Sequence, residues 1–269
     1  MNKRLTITMD CWSKYRDVRK VFFESINRNW DHSSYDFIIA CDEDISAEKN
    51  DALIVVCDKS LTDSRRHLEA LKLVRTEYVL LVVEDGMIEK KVNNDRIEEI
   101  LDFMDNNQID FCKLVKMPNG RGKKIKDLNN AKYINKRQAY GINYLCGIYR
   151  KTFLFSLLGG DCKDSWEIEE SLLKESANSE KGFFDNKILV TDNPLNIVFC
   201  VEKGKWSHWA RKRILKNGYS FNSGRETWSF WHDCLAKIKH LSSSCISSKK
   251  RVLIKSILSK IGIRFATKE

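Results

Sequence analysis

The chain has 269 residues, of which 42% are hydrophobic, and a formal net charge of +10. This length suits one large domain, and the hydrophobic content supports a folded core, which excludes a wholly disordered chain. The apolar runs are all shorter than the ~18 residues that cross a membrane, so no transmembrane helix is expected. The N-terminal apolar run is also too short for a signal peptide.

The positive charge is concentrated at the C-terminus. Residues 236–269 contain nine Lys or Arg and one Glu, which gives this tail +8 and leaves +2 for the remaining residues. A nearly balanced body argues against nucleic acid as a partner. We therefore expect a domain at 1–235 and a basic tail at 236–269.

The cysteines indicate a reducing compartment. Nine are present without a C-x-x-C pair, and most lie in apolar, strand-like runs. An odd number without metal-site spacing is typical of reduced, mostly buried thiols. Such thiols favour a cytoplasmic protein.

Strand-like and helix-like patterns alternate through the first 117 residues. In chain order they predict strand 4–9, helix 13–30, strands 35–41 and 52–57, helix 61–75, strand 77–83, helix 94–107 and strand 109–117. Short strands that are apolar on both faces are typical of parallel sheets covered by helices. The sequence therefore predicts an α/β fold with a mostly parallel sheet sandwiched by helices.

The second half of the chain is less regular. Residues 118–145 have few apolar anchors, so a long loop or a flexible hairpin is expected there. Strands are predicted near 187–191 and 196–201, and a basic, tryptophan-containing helix is predicted at 202–218.

The strand at 77–83 ends in two acids, Glu84 and Asp85, followed by Gly86. In open parallel sheets, ligands bind outside the carboxyl ends of the strands. Carboxylate oxygens suit Mg²⁺ or Mn²⁺, which bind through one or two carboxylates plus substrate phosphates. The pair is therefore a candidate metal and phosphate site, and an acidic surface turn is the alternative.

A second acidic cluster lies in the stretch DSWEIEE, which contains Trp166, Glu167 and Glu169. An indole can stack on the apolar face of a sugar, and a carboxylate can take a proton from a hydroxyl group. The alternative is a helix N-terminus capped by Asp164 or Ser165, where the helix dipole favours acids in the first turn.

Two basic stretches are candidate phosphate ligands. Arg65, Arg66 and His67 stand at the start of a predicted helix, and Lys205 precedes a run of Lys and Arg at 211–213. We take Arg65 and Lys205 as the donor-binding candidates, and solvated helix faces are the alternative.

The order of these features resembles that of bacterial nucleotide-sugar glycosyltransferases of the GT-A type, which build surface polysaccharides such as O-antigen or capsule. The matching residues are the stretch LEALKLVRTEYVLLVVEDGMIEKKV at 68–92, Trp166-Glu167-Ile168-Glu169 and Gly204-Lys205-Trp206, within a resemblance that covers roughly 1–220. Gly86 occupies the third position of the acidic motif, where the family carries an acid.

The resemblance implies a GT-A-like, Rossmann-like sheet, a nucleotide-diphosphate sugar donor, first of all a UDP-sugar, and a divalent metal, Mn²⁺ or Mg²⁺. Glu84 and Asp85 would lie at the donor phosphates, with Asp85 as a metal ligand. Glu167 or Glu169 would be the base that activates the acceptor hydroxyl, so that the anomeric carbon is inverted. Trp166 would line the acceptor.

The basic tail is predicted to contain an amphipathic helix at 249–265, with apolar residues on one face and mostly basic residues on the other. Such a helix can lie in an anionic membrane interface, where each basic residue contributes on the order of 1 kcal/mol. We therefore expect peripheral attachment at the inner face of the cell membrane, where a lipid-linked glycan acceptor would be met. The alternative is a helix packed on the body or on a second subunit.

Two other functions stay open. A sugar-phosphate nucleotidyltransferase could use a similar α/β sheet, but it usually needs a glycine-rich, basic loop near the first strand, and TMDCWSKYR offers none. A non-catalytic basic protein that binds RNA or a membrane is the second, and the nearly neutral body counts against it.

Overall fold

The computed structural model describes residues 3–49, 51–115, 122–159, 164–221 and 224–235. The predicted tail at 236–269, including the helix expected at 249–265, lies outside these ranges. No helix within them is both long enough and apolar enough to cross a membrane.

The described chain contains thirteen strands and six α-helices with both ends described, and residues 230–235 are helical as well. The strands are β1 (Leu5–Cys11), β2 (Asp36–Cys41), β3 (Leu53–Val56), β4 (Tyr78–Val83), β5 (Gly86–Ile88), β6 (Phe111–Lys113), β7 (Gly122–Lys124), β8 (Ala131–Asn135), β9 (Gly147–Arg150), β10 (Phe183–Val190), β11 (Ile197–Phe199), β12 (Val201–Glu202) and β13 (Lys205–Trp206). The helices are α1 (Arg16–Asn29), α2 (Asp63–Leu73), α3 (Asn94–Asn106), α4 (Lys151–Leu158), α5 (Ser165–Asn178) and α6 (His208–Lys216).

Nine strands form the central sheet, in the order β3-β2-β1-β4-β9-β6-β10-β8-β7. The first four are mutually parallel, whereas β9 runs antiparallel between β4 and β6. On the far side of β6, β10 is parallel to β6, β8 is antiparallel to β10, and β7 is antiparallel to β8. The predicted α/β fold is confirmed, with its parallel part in the N-terminal half of the sheet.

Each face of the sheet buries its own apolar core. Alternate side chains of β1, such as Ile7 and Met9, pack with α1 and α3. On the opposite face, α2, α4 and α5 cover residues such as Val79 and Leu81 of β4. Because successive side chains of a strand point to opposite faces, strands covered on both sides must be apolar throughout, as the sequence predicts.

Four helices begin at a side chain that accepts a hydrogen bond from the first turn. The capping residues are Thr62 for α2, Asn93 for α3, Asp164 for α5 and Ser207 for α6. Each such cap satisfies one of the backbone N–H groups that a helix start leaves without a partner and contributes about 1 kcal/mol.

Two predicted elements differ from the structure, and a third is confirmed in part. The strand expected at 109–117 is shorter, at Phe111–Lys113. The region 118–145, predicted to be a long loop or a flexible hairpin, contains the β7–β8 hairpin. The helix expected at 202–218 begins only at His208, because β12 and β13 first form a hairpin. Lys203 and Gly204, at the turn of the β12–β13 hairpin, take φ values of 50° and 75°, which suit a tight two-residue connection.

The prediction of buried, reduced thiols is confirmed for the part of the chain described. Seven free cysteines lie there, and six of them are buried.

A buried histidine ties the two halves of the sheet together. His67 of α2 is fully buried, and its Nε2 lies 2.8 Å from the Thr8 Oγ1 atom on β1. Its Nδ1 hydrogen-bonds the hydroxyl of Tyr144, which precedes β9. Burial lowers the pKa of His67 to about 4, so the imidazole is neutral at pH 7.

This burial makes stability depend on pH. Because the pKa of His67 is about 4 when folded and 6.5 as the reference for the unfolded chain, the unfolded state binds the extra proton between these values. The contribution of His67 to the free energy of unfolding should therefore fall by about 2 kcal/mol between pH 7.5 and pH 5, while buried acids such as Asp85 act in the opposite direction. Urea unfolding of the natural chain and of His67→Gln at both pH values isolates this contribution as the difference between their pH dependences.

The control is chosen within the same hydrogen-bonded group. His67→Gln should lower stability at pH 7.5 but lose this part of the acid-dependent decrease. Thr8→Val removes one hydrogen bond yet keeps the buried imidazole, so its acid-dependent decrease should match that of the natural chain. An unchanged pH dependence in His67→Gln would contradict the assignment.

Candidate active site

The parallel strands create a crevice where their connections diverge. From β1 the chain passes to β2 on one side, and β4 pairs with β1 on the other side. Ligands of open α/β sheets bind at such a point, outside the carboxyl ends of the strands. Acids stand there on three strands, with Asp10 in β1, Asp42 after β2, and Glu84 and Asp85 after β4.

Asp10 is held by an arginine of α2. The guanidinium of Arg66 donates to both carboxylate oxygens of Asp10 at 2.9 and 3.0 Å and to the carbonyl of Leu61 at 2.7 Å. Burial nevertheless raises the pKa of Asp10 well above its usual range, against the opposing effect of Arg66. The pair fixes the N-terminal end of α2 over the crevice.

Asp42 organises the turn that follows β1. Its two oxygens accept hydrogen bonds from the backbone N–H and the hydroxyl of Ser13, both at 2.6 Å. Burial acts to raise the pKa of Asp42, but the Ser13 hydrogen bonds outweigh it, and the pKa lies below its usual value. This turn presents the indole of Trp12, with the Lys14 ammonium 4.0 Å from its ring centre.

Glu84 and Asp85 are the least satisfied acids of the edge. Glu84 Oε1 accepts the Trp12 N–H at 3.2 Å, whereas Glu84 Oε2 and Asp85 Oδ1 are buried without a hydrogen-bond partner in the described part of the chain. Burial raises the pKa of Glu84 well above its usual range and that of Asp85 to about 7. Leaving such oxygens without a partner costs free energy, which is typical of a site built for a ligand.

These residues fit a divalent cation for which the protein supplies only some of the ligands. Within the described ranges, no three His, Cys, Asp or Glu side chains are grouped to hold a metal by themselves. The unpartnered oxygens of Glu84 and Asp85 are hard ligands, and Mg²⁺ or Mn²⁺ commonly binds one or two carboxylates and completes its shell with phosphate and water. These two acids would hold the ion, which would neutralise charge on a diphosphate.

Gly86 is explained by packing. A Cβ atom there would lie 2.6 Å from Cδ1 and 2.8 Å from Cγ1 of Ile197, on the neighbouring strand β11. A third acid at this position would displace the buried Ile197 side chain, so the close contact between β5 and β11 accounts for the glycine.

The second acidic cluster is brought to the same edge. The backbone N–H of Ser165, at the start of α5, donates to Asp63 at the start of α2 at 3.2 Å. Trp166 is 72% exposed and Glu167 is exposed beside it. Glu169 turns inward, where burial raises its pKa and the Tyr144 N–H donates to its carboxylate.

A buried lysine lies opposite Glu169. Lys113 ends β6, and its Nζ donates to the carbonyl of Tyr140 at 2.7 Å. Burial lowers the pKa of Lys113 to about 7, against the opposing effect of Glu169. Tyr140 has a φ of 59°, and the buried amide of Asn143 has no hydrogen-bond partner within the described ranges. The segment before β9 is thus strained and incompletely satisfied, as functional segments often are.

The two basic residues expected at the donor are placed differently. Arg65 is exposed on α2, while its neighbour Arg66 points to the acids. Lys205 pairs with Glu226, and its Nζ lies 4.7 Å from the ring centre of Trp228.

Sequence reasoning missed four side chains of this edge, namely Asp10, Trp12, Asp42 and Lys113. Asp10 and Asp42 directly follow the predicted strands 4–9 and 35–41, so the rule that singled out Glu84 would have found them too. Lys113 falls inside a predicted strand and carries no such signal.

A wide recess of about 700 Å³ lies at the opposite end of the strands, lined by Trp30, His32 and Tyr35 among others. Several of its polar groups already have partners, since the Lys49 ammonium lies 3.2 Å from His32 Nε2 and donates to Asp51 at 2.6 Å, and Lys3 pairs with Asp36. We therefore place the site at the carboxyl edge, where Glu84 and Asp85 have buried oxygens without a partner among the described residues.

No protein-family model matches the chain, and no curated protein sequence matches it. Among solved structures, it is similar to S. aureus TarS, with 17% identity and a TM-score of 0.46 over 70% of this chain and 35% of that chain. For TarS 1–349 in complex with UDP-GlcNAc, the identity is 16% and the TM-score 0.44, over 70% of this chain and 56% of that chain.

The bifunctional IspDF from Campylobacter jejuni is also similar, with 12% identity and a TM-score of 0.39 over 70% of this chain and 49% of that chain. The chain thus spans between about a third and just over half of each of these proteins. At identities and TM-scores this low, the site has to be argued from the chain's own residues.

The unpartnered acids should make the free protein less stable than it could be. Because the folded state raises the pKa of Asp85 to about 7, its stability falls as pH rises from about 4 to 7 and the buried charge forms. Asp85→Asn should therefore raise the free energy of unfolding by about 1–2 kcal/mol at pH 8, and by much less at pH 5. Denaturant unfolding at both pH values measures the gain.

The exposed Asp185 of β10 provides the control, because Asp185→Asn changes the same net charge without relieving a buried one. Its stability should stay within about 0.5 kcal/mol of the natural chain. A loss of stability in Asp85→Asn at pH 8 would show that the carboxylate is satisfied in the free protein.

Proposed function

We propose that the chain is a glycosyltransferase that moves a sugar from a nucleotide diphosphate to a hydroxyl group of a glycan. The observation that carries this proposal is the pair of buried oxygens on Glu84 and Asp85, at the carboxyl ends of the paired strands β1 and β4, that have no partner among the described residues. A diphosphate with its divalent cation would satisfy both oxygens, and the cation would stabilise the departing nucleoside diphosphate.

The nucleoside is proposed to bind beside Trp12. The Trp12 backbone N–H donates to Glu84, and Ser13 next to it donates to Asp42. The Lys14 ammonium and the Arg66 guanidinium lie 4.0 and 5.9 Å from the centre of the Trp12 ring. Aromatic side chains stack on nucleobases, a contact worth about 1–3 kcal/mol per base. UDP is the first nucleotide to test.

The acceptor is proposed to enter from the α5 side, where the exposed Trp166 offers an indole face to a sugar ring. Glu169 is the favoured base, because burial raises its pKa and so makes it a stronger base than an exposed carboxylate, and Glu167 is the alternative. The acceptor oxygen attacks the anomeric carbon while the carboxylate takes its proton. The bond from carbon to the diphosphate oxygen breaks as the new bond forms, so the diphosphate leaves and the configuration inverts.

The acceptor is proposed to be a lipid-linked bacterial surface glycan, such as O-antigen or capsule, reached at the inner face of the cell membrane. The +8 charge of residues 236–269 supports this location, because anionic lipid attracts basic segments.

Nucleotide binding tests the proposal most directly. UDP with Mn²⁺ should raise the melting temperature by several degrees, because a ligand at 100 times its Kd stabilises by about 2.7 kcal/mol. UDP without metal should shift it less, and Asp85→Asn should abolish the effect of Mn²⁺. Thermal unfolding with UDP, GDP and ADP, each with Mn²⁺ or with chelator, provides the comparison. Failure of every nucleoside diphosphate to shift the transition would contradict the proposed donor class.

The choice of base is tested by a matched pair of variants. Glu169→Gln should lower kcat by about 10²–10⁴-fold, the usual contribution of general base catalysis. Glu167→Gln, on an exposed side chain two residues away, should retain most activity. The assay follows release of nucleoside diphosphate from UDP-sugars with glycan acceptors.

Two results would count against this assignment. Full activity in Glu169→Gln together with loss in Glu167→Gln would move the base to Glu167, and full activity in the double variant would exclude a carboxylate base from α5. Release of pyrophosphate from a nucleoside triphosphate would indicate a nucleotidyltransferase.

A further inference from the structure

Large apolar side chains are exposed near the end of the described chain. Phe230 is 39%, Trp231 73% and Leu235 65% exposed. Trp231 and Leu235 stand one turn apart on the helical residues 230–235, so they share a face. Trp209 of α6 joins them through Phe230, with ring centres 5.4 Å apart. We call these four side chains the aromatic ridge.

The ridge is held in a fixed position. The buried carboxylate of Asp233 accepts hydrogen bonds from the Ser207 hydroxyl at 2.8 Å and the Trp209 N–H at 3.1 Å, which fastens residues 230–235 to the start of α6. Arg225 donates to both oxygens of Asp17 on α1 at 3.0 and 2.9 Å. The exposed rings therefore belong to an ordered surface.

Basic side chains flank the ridge. Helix α6 carries four Lys or Arg and no acid. Lys212 and Lys216 follow Trp209 by three and seven positions, so all three share one helix face, and the Lys212 ammonium lies 5.6 Å from the Trp209 ring centre. Aromatic rings beside Lys and Arg are typical of surfaces that lie in a membrane interface.

We propose that the aromatic ridge and the Lys212–Lys216 face of α6 dock on an anionic lipid bilayer. Trp231 and Leu235 would enter the boundary between headgroups and acyl chains, and the two lysines would contact anionic headgroups. This surface is separate from the tail, and its binding to lipid requires no sugar transfer.

Charge selects this occupant over two others. The tail at 236–269, which continues directly from the ridge, carries +8 and would repel the basic α6. A second copy would present α6 to α6, again with like charges. An anionic bilayer is complementary in charge to both basic segments. It would also remove the exposed rings from water, and large exposed apolar patches are typical of surfaces that bind a protein or a membrane.

The docking surface is connected to the candidate site. The Ser207 N–H donates to the Cys200 carbonyl at 2.8 Å, and the Cys200 N–H donates to the Asp85 carbonyl at 2.7 Å. These backbone hydrogen bonds connect the start of α6 to the turn that carries Asp85.

The test is sedimentation of the full chain with vesicles of phosphatidylglycerol and phosphatidylcholine, compared with phosphatidylcholine alone. The natural chain should bind the anionic vesicles at least tenfold more tightly. Phe230→Ser with Trp231→Ser should weaken that binding by roughly tenfold or more. Lys212→Ala with Lys216→Ala should weaken it about fivefold per residue.

Two matched controls should bind like the natural chain. Phe155→Ser removes a 47% exposed apolar ring from α4. Lys123→Ala with Lys124→Ala removes two exposed charges from β7, an edge strand of the central sheet.

A second measurement serves if the double aromatic variant does not fold. Brominated acyl chains should quench the tryptophan emission of the natural chain, and the conservative Trp231→Phe should lose most of that quenching. Undiminished quenching in Trp231→Phe would overturn the proposal.

Other outcomes would also overturn it. Unchanged vesicle binding by the folded aromatic variant would assign binding to the tail alone. A dimer in sedimentation velocity that the aromatic variant dissociates, without an effect on vesicles, would assign the ridge to a second copy. Binding of single-stranded RNA, but not of vesicles, that depends on Trp231 would assign it to nucleic acid.

Discussion

Gathering several acids at one edge of a sheet is electrostatically costly, and the surrounding structure is arranged to offset that cost. Arg66 neutralises Asp10, and Ser13 supplies two hydrogen bonds to Asp42. The turn after β1 and the start of α2 are thereby positioned by the acids themselves. Glu84 and Asp85 receive less compensation within the described part of the chain, and this difference is the reason for proposing them, rather than Asp10 or Asp42, as ligands of a cation.

The parallel half of the fold was predictable because its strands are short, apolar on both faces and separated by amphipathic helices. The antiparallel strand β9 was not, since Gly147–Arg150 runs directly into α4 and its strand character comes from pairing with β4 and β6 on either side. The turn at Lys203 and Gly204 was equally hidden inside a basic, helix-like stretch. Such elements are decided by long-range pairing, which local patterns do not contain.

The same division applies to the site. Glu84 and Asp85 were recognisable because an apolar strand ends in acids, and Glu169 because it stands in an acidic cluster beside a tryptophan. What local patterns could not show is which of two adjacent side chains faces inward. Arg66 rather than Arg65 reaches the crevice, and Glu169 rather than Glu167 turns toward Lys113. These choices depend on how α2 and α5 are rotated against the sheet.

The reversed strand β9 has a consequence for how the chain folds. Strands β1 to β4 can pair soon after they are synthesised, but the second edge of β4 stays unpaired until β9 has been synthesised. In the folded protein, Tyr78 of β4 pairs with Arg150 of β9, and Leu81 pairs with Gly147. Pairings this distant in sequence form slowly, and an apolar edge left open in the meantime invites association with other chains. The apolar strand β4 therefore depends on the C-terminal half of the chain to cover its second edge. Truncations that end before β9 would leave this edge unpaired and prone to aggregation.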